Sequence, residues 1–440
     1  MTADSSTGTA APVLTPGAGR RATLTRWAGI LSAYFSAQSL IQLLGIAAGL
    51  LFVNFMPLHE FALYTLAFSV ITFFTFITDL GSSTSLVHFY HRAARDGEAF
   101  QPYFDAVSSL RRAAFLAGGA GVLLAFPWVA TRKGFAPADV ALTTVGILLY
   151  VAFQIRVSLR LLALRLHSRY GVSYRAEMGG AGLRVGIAGL MVAASRLHAW
   201  LGVLASALGS AVTGWLAGPG EKAGPPPPEG LAPYRRRVLR YLLPTLPAAL
   251  YFAVQGPLVV WLSATFGSTR NIAEVGALSR LSLVVGLFSG LTGTVLLPRL
   301  ANVTDERHYL RRYLQFGGLL AGVAAGMLLI TAAAPRLFLM LLGQKYSGLD
   351  SELLLVVAGA GVGLLDGYAV GVNLARSWTR WQGAALAVQI AAQALLVFLV
   401  PLSSTFNLLL FNLLSACVAL ALQSITALAG FTRPRWVYWS

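Results

Sequence analysis

Twelve apolar segments, each long enough to cross a membrane, follow one another along this chain. They run over 27–56, 60–90, 112–131, 138–159, 171–195, 198–218, 241–266, 272–301, 312–334, 350–375, 380–401 and 404–430. A helix needs about 20 apolar residues to cross a hydrocarbon core of ~30 Å, whereas a barrel strand needs only about 10. Inside lipid every backbone N–H and C=O must find a partner within the protein, and an open sheet leaves an edge. The segments are therefore expected to be helices. Composition agrees: 56% of the 440 residues are hydrophobic, 11% are charged, and mean hydropathy is +0.69. Soluble domains are about 25% charged. A soluble enzyme with a single anchor is excluded; the expected class is an all-α integral membrane protein of about 12 spans.

The formal net charge is +17. Its placement matters more than its size. Sorting the loops by side puts 24 of the 33 Lys and Arg residues on the side that holds both termini, and six on the other (Arg132, Lys133, Arg196, Arg270, Arg336, Lys345). Arg156, Arg184 and Arg280 remain within spans. Positive residues gather on the cytoplasmic side, so both termini of a multi-pass protein are expected to be cytoplasmic. No nucleic-acid partner is expected. The scattered histidines and single Cys417 offer no metal site or disulfide, and neither a cofactor nor a cleavable signal sequence is expected.

Residues 1–26 read as a disordered cytoplasmic tail, 27–218 as a six-helix bundle, 219–240 as a basic Pro-rich cytoplasmic linker, 241–430 as a second six-helix bundle and 431–440 as a cytoplasmic tail. Pro225 to Pro228 make a stiff spacer, and the arginines after it can lie on anionic lipid. The halves look alike. "YFSAQ" (Tyr34 to Gln38) is echoed by "YFAVQ" (Tyr251 to Gln255) 217 positions later, and Glu60 by Glu274 at an offset of 214. Six spans per half make this a parallel repeat, with a site expected in a central cavity between the two pseudo-symmetric halves.

Three stretches resemble the polysaccharide-flippase (Wzx-like) branch of the multidrug/oligosaccharidyl-lipid/polysaccharide exporter superfamily. They are "HEFALYTLAFSVITFFTFITDLGSSTSLVHFY" (59–90), "AEVGALSRLSLVVGLFSGLTGTVLLPRLA" (273–301) and "PRLFLMLLGQKYSGL" (335–349), where Leu342 stands in place of the usual Phe. The resemblance implies translocation of an undecaprenyl-diphosphate-linked oligosaccharide across the bacterial inner membrane by alternating access, for surface or exopolysaccharide synthesis. It also implies a polymerase and a chain-length regulator as partners.

A charge inside a span costs at least ~2.5–3.5 kcal/mol near the centre. Arginine binds phosphate bidentately. Arg184 and then Arg280 are the first candidates for headgroup contacts. Arg156 is a further candidate, although snorkelling explains it equally well. Glu177, two turns before Arg184, is the candidate partner in a structural ion pair or another cavity residue. Tyr34, Gln38, Tyr251 and Gln255 are candidate sugar contacts. Asp366 and Asp79 are ion-coupling candidates, with a local capping role favoured for Asp79. Pro244, Pro247 and Pro257 are expected to kink the seventh span, which makes it a candidate gate. Gly359, Gly363, Gly367 and Gly371 form a small-residue face for helix packing, and Gly45 and Gly49 read the same way. Trp27, Trp128, Trp436 and Trp439 suit interface anchors.

Other classes fit less well. A major-facilitator transporter would carry a Gly-x-x-x-Asp-Arg-x-Gly-Arg-Arg loop after its second span, and 90–112 lacks it. A membrane polymerase needs a large outer loop, and the outer loops here are short. No Walker lysine motif, paired carboxylates or filter-like motif is evident, so neither an enzyme nor a channel is expected. A multidrug or small-molecule exporter of the same superfamily is the alternative.

Overall fold

The computed structural model describes residues 20–218, 230–301 and 305–432, with side chains from Gln38 onward except at a few positions between 283 and 307. The Pro225–Pro228 spacer, Trp436 and Trp439, and the side chains of Trp27 and Tyr34 lie outside the described residues. All described secondary structure is helical: α1 Arg20–Phe55, α2 Leu58–Asp79, α3 Ser82–Asp96, α4 Gln101–Arg132, α5 Pro137–Leu166, α6 Tyr170–Ala193, α7 Ala199–Leu216, α8 Ala232–Leu242, α9 Leu246–Gln255, α10 Leu258–Phe266, α11 Thr269–Leu291, α12 Leu297–Ala301, α13 Glu306–Ala333, α14 Pro335–Leu342, α15 Asp350–Ala375, α16 Gln382–Leu399 and α17 Thr405–Thr432.

These helices answer the twelve apolar segments one for one. The second segment is α2 with α3, the seventh is α8 to α10, the eighth is α11 with α12, and α14 is a short outer helix. Among the described residues nine helices are long and apolar enough to cross a membrane, or ten when the bent pair around Gly256 is counted. Of the remaining long helices, α6 and α11 fall short of that test, and they are the ones that carry Arg184 and Arg280. Two boundaries move. Helix α1 begins at Arg20, so residues 20–26 are helical rather than tail. Helix α8 takes up the end of the linker, because "APYRRRVLRYL" is amphipathic and buries Val238 and Leu242 while its arginines face outward.

The breaks have local causes. Helix α2 ends where Leu80 (φ 40°) and Gly81 (φ 79°) turn left-handed, a region that glycine enters freely. The seventh span bends by 53° between Gln255 and Leu258, with Pro257 at the bend. Pro244 lies in a 3₁₀ turn and Pro247 in the first turn of α9. Proline supplies no N–H to the preceding turn, so the helix yields there.

Within the first half α5 and α6 pack on α7, and α1 packs on α6. In the second half α13 and α17 pack on α15. The halves meet where α2 crosses α11 and where α1, α9 and α10 complete the seam. That crossing is tight: a Cβ on Gly276 would lie 2.3 Å from Thr65 Oγ1. The two acids of the repeat make corresponding bonds. Glu60 Oε2 accepts from the Ala199 N–H at 2.7 Å, at the start of the last helix of its half. Glu274 Oε2 accepts from Thr405 Oγ1 at 2.6 Å, again at the start of the last helix. Of the glycine face on α15, Gly359 and Gly371 meet neighbouring helices, while Gly363 and Gly367 look onto open space.

Helix α6 approaches α7 through Gly180 and Gly209; a Cβ on Gly180 would lie 2.5 Å from the Gly209 carbonyl and closer still to Thr213 Oγ1. Over-packing of this kind costs about 1–3 kcal/mol or more. Gly180→Val is therefore expected to lower the thermal aggregation temperature of the detergent-solubilised protein by several degrees. Gly182→Ala, which meets nothing within 4 Å, is expected to leave it unchanged.

Candidate functional site

Two arginines from opposite halves converge on one pair of aromatic rings. Tyr64 and Phe68 sit four residues apart on α2, on one face. Arg184 of α6 donates from Nη2 to the Tyr64 hydroxyl at 3.0 Å, and its guanidinium carbon lies 5.3 Å from the Phe68 ring centre. Arg280 of α11 lies 6.0 Å from both ring centres. Its stem reaches there over Gly49 of α1, where a Cβ would stand 3.4 Å from Arg280 Cδ. Gly49, expected as a helix-packing residue, thus makes room for a side chain.

Among the described residues neither guanidinium has a carboxylate in salt-bridge range, and Nε of each is buried without a hydrogen-bond partner. The two cations are close enough to repel each other. The aromatic faces return part of the lost hydration, about 0.5–2 kcal/mol for each good cation–π contact. An unpaired buried charge still costs several kcal/mol. The pair is a site short of negative charge.

The expected Glu177–Arg184 pair does not form. Glu177 accepts from Arg165 Nη2 instead, on the neighbouring helix α5. Seven residues along a helix set two side chains about 10 Å apart in height, whereas the tight turn at Ser168 brings α5 alongside α6. Arg156 is exposed and does not line the cavity, which agrees with snorkelling to headgroups.

A cleft of 390 Å³ runs beside α2, with Phe68 and Tyr150 at the arginine end and Asp79, Ser83, Arg111 and Ser158 at the other. The opposite face of α2, with Leu66, Val70, Phe73 and Ile77, lines an apolar cavity of 370 Å³ against α4 and α10. Helix α2 therefore separates a cleft with polar groups at one end from an apolar cavity, and Trp261 ties the partition by donating Nε1–H to Ser69 Oγ at 3.1 Å.

At the Asp79 end of the cleft Arg111 is almost fully buried, and each of its guanidinium nitrogens donates. Nε donates to Ser82 Oγ (2.7 Å), Nη1 to Ser158 Oγ (2.8 Å), and Nη2 to Ser83 Oγ (2.7 Å) and to Asp79. Asp79 also accepts from Ser83 Oγ at 2.6 Å. In place of the expected local cap, Asp79 bonds the side chains of Arg111 on α4 and Ser83 at the α2–α3 break. Arg111 is one of the 24 cations that the sequence assigns to the side of the termini, and the structure buries it within α4.

The second half carries its own polar cluster. Tyr251 of α9 lies beside Asp366 of α15 and Gln389 and Gln393 of α16. Gln393 Nε2 donates to Gln255 Oε1 (3.0 Å) and to Ser415 Oγ (2.5 Å), and Gln389 Nε2 donates to the Ser415 carbonyl (2.9 Å). Asp366 Oδ1 and Gln389 Oε1 are buried without partners. Gly363 and Gly367 leave open space beside Asp366. Gln389 and Gln393 escaped the sequence reading, although two glutamines one turn apart in an apolar helix are a legible signal. Gln38 is half-buried, and Trp128 is exposed, with Arg132 stacked 3.9 Å over its ring.

Residues 27–166 match the model of a family described as polysaccharide biosynthesis protein. The match covers part of the first half and agrees with the resemblance read from the sequence. The fold is similar to that of the lipid II flippase MurJ in an inward closed conformation, with a TM-score of 0.69, 13% identity, and coverage of 90% of this chain and 87% of that one. It is also similar to a multidrug resistance MATE transporter of the MOP superfamily. The inward-facing form gives a TM-score of 0.62 at 15% identity, covering 89% of this chain and 96% of that one. The outward-facing form gives 0.53 at 14% identity, covering 91% and 94%. No curated protein matches the sequence. The chain is thus a multi-pass membrane protein whose fold is similar to those of these transporters.

Removing one member of a buried ion pair costs about 3–5 kcal/mol, because the other charge is stranded. Arg111→Leu is expected to abolish most folded protein, read as monodisperse material after detergent extraction. Asp79→Asn combined with Arg111→Gln is expected to restore a substantial part of it.

Proposed function

We propose that the protein translocates a polyprenyl-diphosphate-linked oligosaccharide across the bacterial inner membrane by alternating access of its two halves, 27–218 and 241–430, with both termini cytoplasmic. One observation carries this reading: Arg184 and Arg280 reach the same aromatic pair from opposite halves with no carboxylate between them. A diphosphate brings the missing charge. Its oxygens accept from the free Nε groups, and binding it draws the halves together, since each supplies one cation. Tyr64 orients Arg184. The Tyr251, Gln255, Gln389 and Gln393 cluster offers amide and phenol groups suited to sugar hydroxyls. Asp366, partnerless and next to open space, is the candidate for coupling to a proton or cation. The bend at Pro257 places a flexible joint in the seventh span, beside α2. The role is transport rather than catalysis, and a polymerase and a chain-length regulator are the partners that follow from it.

The rival reading, export of small molecules, has the MATE-like fold in its favour. For cationic compounds it is opposed by the two uncompensated arginines, which would repel them.

Deleting the gene in its host is expected to accumulate undecaprenyl-diphosphate oligosaccharide and remove the surface polymer. Complementation with Arg184→Ala or Arg280→Ala is expected to restore export at no more than about a tenth of the wild-type level, since a charge-assisted contact is worth about 1.5–3 kcal/mol. Immunoblots of membranes should show unchanged insertion. Normal polymer together with gained sensitivity to toxic small molecules would replace the flippase with an exporter. Wild-type export from the double arginine variant would remove the site.

A further inference from the structure

The outer face of the seam carries two lysines that each reach across to the other half. Lys133 follows α4 in the first half, and its Nζ donates to the Gly267 carbonyl at 2.7 Å, at the end of α10 in the second half. Lys345 follows α14 in the second half, and its Nζ donates to the carbonyls of Met56 (2.5 Å) and Val53 (3.1 Å), at the end of α1 in the first half. All three carbonyls lie in the last turn of a helix or one residue beyond it, where terminal C=O groups lack internal partners and the dipole favours a cation.

The two bridges are related by the repeat. Lys345 lies 212 positions after Lys133, and Gly267 lies 211 after Met56, against the offsets of 214 and 217 that relate the halves elsewhere. In each case the loop after the third span of one half caps the first span of the other. Both lysines belong to the six cations of the sparsely charged outer side.

Each bridge is buttressed. Asn54 Nδ2 donates to the Leu341 carbonyl at 2.6 Å. Gly343 (φ 91°) presses so close that a Cβ there would stand 2.8 Å from Asn54 Oδ1. Tyr346, next to Lys345, is buried with its ring edge-on to Phe61, 6.5 Å away. At the other bridge Thr269 Oγ1 returns a bond to the Lys133 carbonyl (3.4 Å), and Phe135 is buried against His59. Burial holds the Lys345 ammonium below its ordinary range, so the carbonyls it meets replace lost water.

We propose that Lys133 and Lys345 are reciprocal latches that hold the outer face closed, and that both must release before the chamber opens outward. Neither lysine touches the arginine pair. Because the latches run in opposite directions across one seam, either alone resists separation of the halves, and their effects multiply. This rests on the alternating-access part of the proposed function but on no choice of substrate.

The test uses the full chain with Cys417→Ser and Thr72→Cys, which puts a single thiol on the wall of the cleft beside α2. A membrane-impermeant maleimide is applied to right-side-out and to inverted vesicles. Each lysine→Gln change is expected to raise the outside labelling rate about tenfold, and both together about a hundredfold, with inside labelling falling in step. Lys133→Arg with Lys345→Arg, which keeps the charge, is expected to stay closed. Outside labelling of the double Gln variant at the wild-type rate overturns the latches. So does a rise on both sides at once, which marks a loosened protein rather than a released gate. Should the double variant fail to insert, the single Gln variants decide on the same criterion. The readout involves no substrate, so it stands or falls separately from the arginine site.

Discussion

Two like charges held without a counter-charge in an apolar bundle are the constraint around which this structure is arranged. A bundle of apolar helices would be stable without them. Keeping them requires an aromatic pair on α2, a glycine on α1 to admit the Arg280 stem, and glycines on α6 and α7 that let the Arg184 helix come close. None of these devices neutralises the charge. They lower the cost of the unpaired charge without removing it.

Arg111 makes the contrast clear. It is the same residue type, more deeply buried, and its donors are filled by three serines and Asp79. A satisfied network of this kind rigidifies the helices that supply it. It sits where α2 breaks into α3, so a stiff joint lies at the Asp79 end of the cleft. One arginine is therefore satisfied by the scaffold while two keep unpaired donors, and what separates them is the inventory of partners.

The spans were legible because length and apolarity leave no other solution in lipid, and the lysine and arginine count fixed their alternation. Arg184 and Arg280 were legible for the same reason: a charge in an apolar run stands out. Partners were not. Glu177 looked like the mate of Arg184 because sequence shows vertical neighbours on one helix, while Arg165 faces it laterally across a turn. Tyr64 and Phe68 were hidden because aromatic residues in an apolar helix resemble any core. Arg111 was hidden because a charge near a segment boundary reads as loop. Sequence reports which residues are costly in the membrane; only packing reports how that cost is met.

The repeat adds a further step. The acids Glu60 and Glu274 bond the first residue of the last helix in their own half, so they hold each half together. The lysines Lys133 and Lys345 cap the first span of the opposite half, so they hold the halves to each other. Both sets obey nearly the same offset, yet one set stays within a bundle and the other crosses the seam. The halves are joined by these polar, charge-assisted contacts together with an apolar core shared across α2 and α11, so a rocking motion must release the first and slide the second. The arginine pair meets that seam from the inside. In the proposed function, an anion bound there would act on the same seam that the two lysines bridge.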